Sequence, residues 1–226
     1  MNMKKIAADK AVELVQDGMK IGLGTGSTAY WAILKIGELV REGLHIQAVA
    51  TSIASEKLAA EQGIALTPLE RIGRLDLTID GADELDSQLR LIKGGGGALL
   101  REKITAFHSD RLIIVADENK VVPVLGAFPL PVEIVPFAKE WTSEAIERLG
   151  CTVRLRTEGG GQLYRTDNGN YIADCHFDAL SSPEQLQKQL SLIPGVVEHG
   201  LFLGMADLAY IGRASGKVEI YHKQGV

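Results

Sequence analysis

The sequence predicts an α/β protein, with a doubly wound, Rossmann-like, mostly parallel sheet domain and a second, smaller ferredoxin-like α+β domain. Three observations predict it. Between Lys20 and Ala116 short apolar runs alternate with segments of helical spacing, as expected for parallel strands covered by helices on both faces. The first of these strands runs through a glycine turn directly into a helix. Beyond Gly126 the order becomes β-α-β-β-α-β, the split βαβ arrangement of ferredoxin-like domains.

Taken in order, residues 3–16 place Ile6, Ala7, Val12, Leu14 and Val15 at mostly helical intervals, with Gly18 as the expected C-cap. A strand over 20–23 enters Gly24-Thr25-Gly26, and helical spacing resumes through Tyr30, Trp31, Ile33, Leu34, Leu39 and Val40, with Ser27 or Thr28 as N-cap. The alternation continues as strand 45–50, helix 52–62, a short extended piece 65–68 and a buried strand 75–80. A short strand 89–92, a helix 98–108 and an apolar strand 112–116 follow. The prolines of 128–131 mark a connector. After it the pattern reads strand 132–135, helix 140–149, strands 152–155 and 171–175, helix 183–192 and strand 196–201, with Asp167-Asn168-Gly169-Asn170 as hairpin-turn chemistry between the middle strands. Strand-like segments 208–211 and 218–221 are expected to rejoin the first domain. The expected division is therefore 1–126 plus 202–226 for a Rossmann-like catalytic domain and 127–201 for the small domain.

Composition narrows the functional classes. With 226 residues, 46 % hydrophobic and 23 % charged, the chain can bury a substantial core and is an ordinary globular sequence. A net charge of −5 without a long basic run disfavours a nucleic-acid partner, while a local cradle could still hold a small anion. Cys151 and Cys175 are too few for a disulfide framework and lack metal or redox spacing, so both are expected as buried or half-buried thiols. Asp9, Lys10 and Glu13 interrupt the segment after Lys4 and Lys5, leaving no signal-peptide core. The longest uncharged stretch, 121–132, carries Pro123, Pro129 and Pro131 and is no membrane span. A cytoplasmic protein with no membrane partner is expected.

Two constellations carry chemistry. In Gly22-Leu23-Gly24-Thr25-Gly26-Ser27-Thr28 the glycines let backbone N–H groups approach an anion at a helix N-terminus that contributes roughly half a positive charge. The hydroxyls of Thr25, Ser27 and Thr28 add donors. Position 27 is Ser rather than Gly, and Thr51 and Ser52 stand where a dinucleotide fold would place an acid. The turn also has no lysine, so neither a dinucleotide fingerprint nor a Walker loop is met. A ligand-free tight turn remains an alternative.

The second constellation spans Asp80-Gly81-Ala82-Asp83-Glu84, Lys93-Gly94-Gly95-Gly96-Gly97 and Arg101-Glu102-Lys103. Asp80 ends an apolar strand, the edge where open α/β sheets bind ligands. Asp83 could share its cavity or merely cap the turn, while Glu84 and Asp86 read as solvated loop charges. Four consecutive glycines cost backbone entropy unless close approach or positive φ is needed, and apolar elements press on both sides of the run. For a sugar phosphate seated on residues 25–28, Glu102 could remove a proton α to a carbonyl. Lys93 and the N–H groups of Gly94, Gly95 and Gly96 could hold the enediolate, with Asp80 and Asp83 binding sugar hydroxyls. No His-rich or Cys-rich metal spacing is present, and a metal-free route is preferred. Residues alone leave isomerase, deaminase and lactonase open.

Six blocks in order, 24–28, 80–84, 93–96 with 101–103, 128–133, 166–170 and 193–197, resemble the ribose-5-phosphate isomerase family of the A type. The resemblance implies interconversion of D-ribose 5-phosphate and D-ribulose 5-phosphate through a cis-enediol in the pentose phosphate pathway, without metal or organic cofactor. It implies Glu102 as proton acceptor and Asp80, Asp83 and Lys93 in substrate binding, ring opening and intermediate stabilisation. Substrate contacts are implied for Thr25, Gly26, Ser27, Thr28, Gly81, Ala82, Gly94, Gly95, Gly96 and Lys120, with Lys4 a further candidate at the phosphate. It also implies a homodimer or homotetramer. Two rivals are an amino-sugar-phosphate deaminase and a non-catalytic sugar-phosphate sensor.

Overall fold

The computed structural model describes residues 2–223; Met1 and residues 224–226, expected from the sequence to belong to the larger unit, lie outside the described residues. The first part of the chain forms α1 (Met3–Val12), β1 (Lys20–Leu23), α2 (Ala29–Arg41), β2 (Gln47–Ala50), α3 (Ile53–Glu61), α4 (Leu69–Ile72) and β3 (Leu77–Gly81). It continues through β4 (Glu84–Leu85), β5 (Leu91–Ile92), α5 (Leu99–Phe107) and β6 (Leu112–Asp117). Next come β7 (Leu130–Ile134), α6 (Lys139–Glu147), β8 (Thr152–Leu155), β9 (Tyr171–His176), α7 (Pro183–Ser191) and β10 (Val196–His199). The last elements are β11 (Leu201–Phe202), β12 (Leu208–Gly212) and β13 (Val218–His222).

The main sheet has the order β13-β12-β6-β3-β1-β2, parallel throughout except for the antiparallel edge strand β13. Successive residues of β6 serve opposite faces. Ile113 and Val115 join a core with α1 and α2, whereas Ile114 and Ala116 join one with Leu91, Phe202 and Ala209. A strand covered on both sides must be apolar at every position, which is why the run 112–116 is continuous. The final two strands rejoin this sheet as the sequence predicts.

The second sheet has the antiparallel order β10-β7-β9-β8, so the first and third strands of the β-α-β-β-α-β unit are central. Ile146 of α6 and Leu186 and Leu190 of α7 cover Val132, Ile134, Ala173 and Cys175. This is the ferredoxin-like arrangement, and Cys151 and Cys175 are half-buried and buried free thiols within it. Among the described residues no helix is long and apolar enough to cross a membrane.

Several expectations need correction. The first helix ends at Val12, with Leu14 and Val15 in turns that donate to Ala11 O and Val12 O. Leu130 and Pro131 belong to β7 rather than to a connector. The strand expected over 196–201 breaks at Gly200, whose N–H donates to Pro131 O at 2.7 Å while its carbonyl accepts from Lys93 N at 2.9 Å. One glycine thus hands the chain from the four-stranded sheet to a small third sheet, β11-β5-β4. Glu84 and Asp86 are not solvated loop charges. Both are buried, Glu84 accepting from the N–H groups of Gly126 and Phe128 and Asp86 from those of Gln88 and Arg90 and from the Arg90 Nε. Backbone amides in loops need acceptors, and a carboxylate that meets two or three of them can be buried.

The blocks 128–133 and 166–170 meet in one interaction. Glu133 is fully buried, and its Oε1 accepts from Thr166 Oγ1 at 2.9 Å, Asn170 Nδ2 at 2.9 Å and Asn168 Nδ2 at 3.3 Å. The turn so fixed reaches the main sheet's helices, because Asp167 Oδ2 accepts from Ile53 N and Arg101 donates to Asn168 Oδ1. Glu133→Ala strips three donors of their acceptor and is expected to lower stability by about 2–4 kcal/mol, read as a fall in the urea midpoint at unchanged slope.

Candidate active site

The site lies at the carboxyl ends of β1 and β3, where α2, α5 and the 93–97 run converge. Asp80 is the penultimate residue of β3 and is buried, with Oδ1 accepting from Thr25 N at 3.0 Å and Gly81 N at 2.7 Å. Gly24 allows this approach, since a Cβ there would collide with the Asp80 backbone and carboxyl. Lys93 follows β5 directly and is 2 % exposed. Its Nζ lies 2.9 Å from Asp80 Oδ2 and 3.4 Å from Glu102 Oε1, and donates to Gly81 O at 2.6 Å. Phe202 closes the far side, its ring centroid 5.4 Å from the ammonium. Glu102, in the first turn of α5, is buried too, and its Oε2 has no hydrogen-bond partner.

Two buried carboxylates therefore share one buried ammonium. Burial pushes the Glu102 carboxyl up to about 8, with the Asp80 charge adding to the rise and Lys93 opposing it. Burial alone would lower Lys93, but Asp80 and Glu102 outweigh it and hold the ammonium protonated well above its ordinary range. Glu102 is thus a carboxyl group able to gain or lose a proton near neutral pH beside a cation that does not titrate there.

Asp83 faces the same cavity, its Oδ2 accepting from Gly95 N at 2.7 Å. The cavity measures about 80 Å³ and is lined by Gly26, Ser27, Thr28, Asp83, Lys93 and Glu102, with Thr25, Gly81, Ala82, Gly94, Gly96 and Lys120 completing its wall. Gly94 adopts φ +102°, a region natural to glycine, and a Cβ there would press on Leu99 and Pro131. The structure brings the residues named from the sequence to one place, with Gly95 contributing through Asp83. Lys120 lies with its Nζ 5.9 Å from the Phe128 ring centroid, and Lys4 donates to Ser27 Oγ at 2.8 Å across the phosphate-type loop.

Thr25 has a different part from the one its hydroxyl suggested. Its Oγ1 sits among the hydroxyls of Thr51 at 2.7 Å, Ser52 at 2.8 Å and Ser55 at 3.1 Å, while its N–H is taken by Asp80. Thr25 locks the loop to β2 and α3, and Gly26, Ser27 and Thr28 are left to face the cavity at the start of α2. The Thr28 side chain makes no capping bond, so the opening amides of α2 are not covered by it. Thr51, Ser52 and Ser55 were missed as site supports. Their signal was the N-cap pattern at Ser52, whose Oγ accepts from Ser55 N at 3.1 Å. Arg156 and Tyr164, which bond to the glycine run, carried no sequence signal at all. Among the described residues no group of three or more His, Cys, Asp or Glu side chains is placed to hold a metal ion.

A parallel α/β sheet that gathers a poised carboxyl group, a fixed ammonium and a glycine loop at a helix N-terminus defines an enzyme for proton transfer on a small anionic substrate. The profile of the ribose 5-phosphate isomerase A (phosphoriboisomerase A) family matches residues 47–216. A protein of Listeria innocua named ribose-5-phosphate isomerase A is 48 % identical over 99 % of this chain and 100 % of its own length. The ribose 5-phosphate isomerase of Plasmodium falciparum superposes with a TM-score of 0.95 at 40 % identity, covering 99 % of each chain. A D-ribose-5-phosphate isomerase in complex with phospho-erythronic acid does so with a TM-score of 0.93 at 37 % identity, over 98 % of this chain and 100 % of that one. The chain belongs to the ribose 5-phosphate isomerase A family.

The buried carboxyl has a cost that can be measured. In the folded protein Glu102 holds its proton up to about 8, against an ordinary value of 4.5. Between those values the folded state binds the additional proton, so this group's contribution to stability is complete below about 4.5 and is lost as pH rises towards 8. Glu102→Gln removes that dependence. Its melting temperature is expected to gain on the wild type more at about pH 9 than at about pH 5, as followed by calorimetry.

Proposed function

We propose that the protein interconverts D-ribose 5-phosphate and D-ribulose 5-phosphate through a cis-enediol, with Glu102 as the general base. The observation that carries the assignment is the free Glu102 Oε2, a buried carboxylate oxygen without a partner beside the Lys93 ammonium. The phosphate takes Gly26, Ser27 and Thr28 at the head of α2, with Thr25 bracing the loop and Lys4 and Lys120 supplying charge. Asp80 and Asp83, with Gly81 and Ala82 between them, hold the sugar hydroxyls and assist ring opening. Glu102 then takes the proton from C2. The electron pair of that C–H bond forms the C1–C2 double bond, and the C1 carbonyl oxygen gains the negative charge. Lys93 and the N–H groups of Gly94, Gly95 and Gly96 stabilise that oxygen. The C2 hydroxyl proton passes to the C1 oxygen, and return of the proton from Glu102 to C1 gives the ketose.

Family membership supports the substrate, and so does the ligand of the relative solved with phospho-erythronic acid, a phosphorylated sugar acid. Its carboxylate offers a planar anion like that of an enediolate. The same reading places the protein in the cytoplasm, where phosphorylated sugars are held, as a homodimer or homotetramer like its family. It also assigns catalysis to residues 1–126 with 202–226 and a supporting role to 127–201, a boundary favoured by the break at Gly200.

Proton NMR of chelator-treated protein with D-ribose 5-phosphate in D₂O tests the proposal. Ribulose 5-phosphate with deuterium at the exchanging carbon is the expected product, and binding without either would replace the enzyme by a sensor. Glu102→Gln keeps shape but not basicity, so it should bind ribose 5-phosphate while turnover drops by about 10²-fold or more. Turnover within a few-fold of wild type would remove Glu102 from the role. Because only the ionised carboxylate can accept the proton, kcat/KM is expected to rise with pH through an apparent pKa near 8 in initial-rate profiles.

A further inference from the structure

The glycine run 94–97 has no side chains with which to choose the orientation of its own peptide planes. The choice is made from the four-stranded sheet. Arg156, immediately after β8, donates from Nη1 to Gly94 O and to Gly95 O, each at 3.0 Å. Its Nε donates to Asp174 Oδ2 at 3.0 Å and its Nη2 to Asp174 Oδ1 at 2.5 Å. This two-point pairing with β9 fixes the plane of the guanidinium. Tyr164, whose ring centroid lies 5.8 Å from the Arg156 guanidinium carbon, donates its hydroxyl to Gly96 O at 3.4 Å.

A trans peptide is planar and carries its carbonyl and its N–H on opposite sides. Holding the Gly94 carbonyl towards Arg156 aims the Gly95 N–H the other way, and that N–H donates to Asp83 Oδ2 at 2.7 Å. Holding the Gly95 carbonyl in the same direction aims the Gly96 N–H away from Arg156, and Gly96 borders the cavity with Gly94, Lys93 and Glu102. Arg156 itself is not among the residues lining that cavity. Its effect on the chemistry passes through two peptide groups.

We propose that Arg156, locked by Asp174, is a positioning residue that orients the Gly95 and Gly96 peptides so that one N–H holds Asp83 and the other meets the oxyanion of the reaction. This rests on the isomerase reading of the site. An interaction that strengthens as charge develops on the substrate oxygen is felt in kcat more than in KM. A small rotation of the donors suffices, since displacements on the order of 1 Å can cost about 10²-fold.

The test compares wild type, Arg156→Ala, Arg156→Lys and Asp174→Asn with D-ribose 5-phosphate as substrate. Arg156→Ala is expected to lose about 10- to 100-fold in kcat with KM within about threefold, and methylguanidinium added below unfolding concentrations should recover part of the loss. Methylammonium should recover none. Lysine at 156 has no fork for both Asp174 and the carbonyls, so it is expected to stay low. Should Arg156→Ala fail to fold, Asp174→Asn keeps the arginine but loosens it, and a smaller fall in kcat at unchanged KM is expected. Wild-type kcat in Arg156→Ala or in a folded Asp174→Asn would overturn the proposal. So would a loss that tracks melting temperature and that guanidinium does not relieve. Absence of isomerisation in the wild type would instead overturn the isomerase reading.

Discussion

A single buried ammonium answering two buried carboxylates is the constraint around which this protein is arranged. Lys93 cannot leave water alone, because an unpaired charge in the interior costs several kcal/mol, on the order of what holds a whole domain folded. Asp80 and Glu102 meet it from different elements, one from the end of β3 and one from the first turn of α5. The three groups can meet only if β3, β5 and α5 converge at one point. The parallel sheet supplies β3 with its carboxyl end open, and the small sheet β11-β5-β4 delivers Lys93 across the gap. The fold and the charge cluster specify each other.

The ferredoxin-like unit completes this arrangement. Gly200 leaves β10, accepts from the Lys93 N–H and leads into Phe202, whose ring faces two ammonium groups, Lys93 at 5.4 Å and Lys103 at 4.8 Å. Lys103 lies next to Glu102 on α5 and donates to Glu198 Oε1 at 2.7 Å and to His199 O at 2.6 Å, so α5 is tied to β10 within one residue of the proposed base. The turn fixed by Glu133 meets α3 and α5 from the other side. A rigid base is worth more than a mobile one, because proton transfer needs donor and acceptor within hydrogen-bond reach.

How much of this was legible depends on whether the signal was local. Strand 20–23, the glycine turn and the helix after it follow from periodicity and punctuation, and the structure has them at those places. Asp80 and Lys93 were legible because each follows an apolar run at a strand end, and Asp83 and Glu102 gained weight only beside them. Glu84 was misread for the converse reason, since its partners are backbone amides 42 and 44 residues away, and Asp86 because its own loop turns the Gln88 and Arg90 amides and the Arg90 side chain onto it. The break at Gly200 was hidden because β-type spacing runs through it, and only the pairing of its amide and carbonyl with two different strands shows that the sheet changes. Arg156 was invisible for the strongest form of this reason. It acts on glycine carbonyls 61 and 62 residues away, and its own partner Asp174 lies on another strand.

Sharing one cation between two carboxylates also explains how the site can run the reaction in both directions. In the proposed reaction the negative charge sits on Glu102 before proton transfer; afterwards Glu102 is neutral and the charge is on the enediolate oxygen, in the same cavity and beside the same ammonium. Lys93 faces one anion at each stage in addition to Asp80, and the net charge of the buried cluster does not change. A polar environment already oriented for the charge need not reorganise when it moves a few ångströms, and reorganisation is a large part of what such a transfer costs in water. Burial sets most of the balance at Glu102, and Asp80 adds to it. Lys93 by itself would lower the Glu102 carboxyl; burial first, and the neighbouring Asp80 second, outweigh it. With Asp80 in place, burial and like-charge repulsion bring Glu102 to about 8, where giving and taking the proton are nearly equal in free energy at neutral pH.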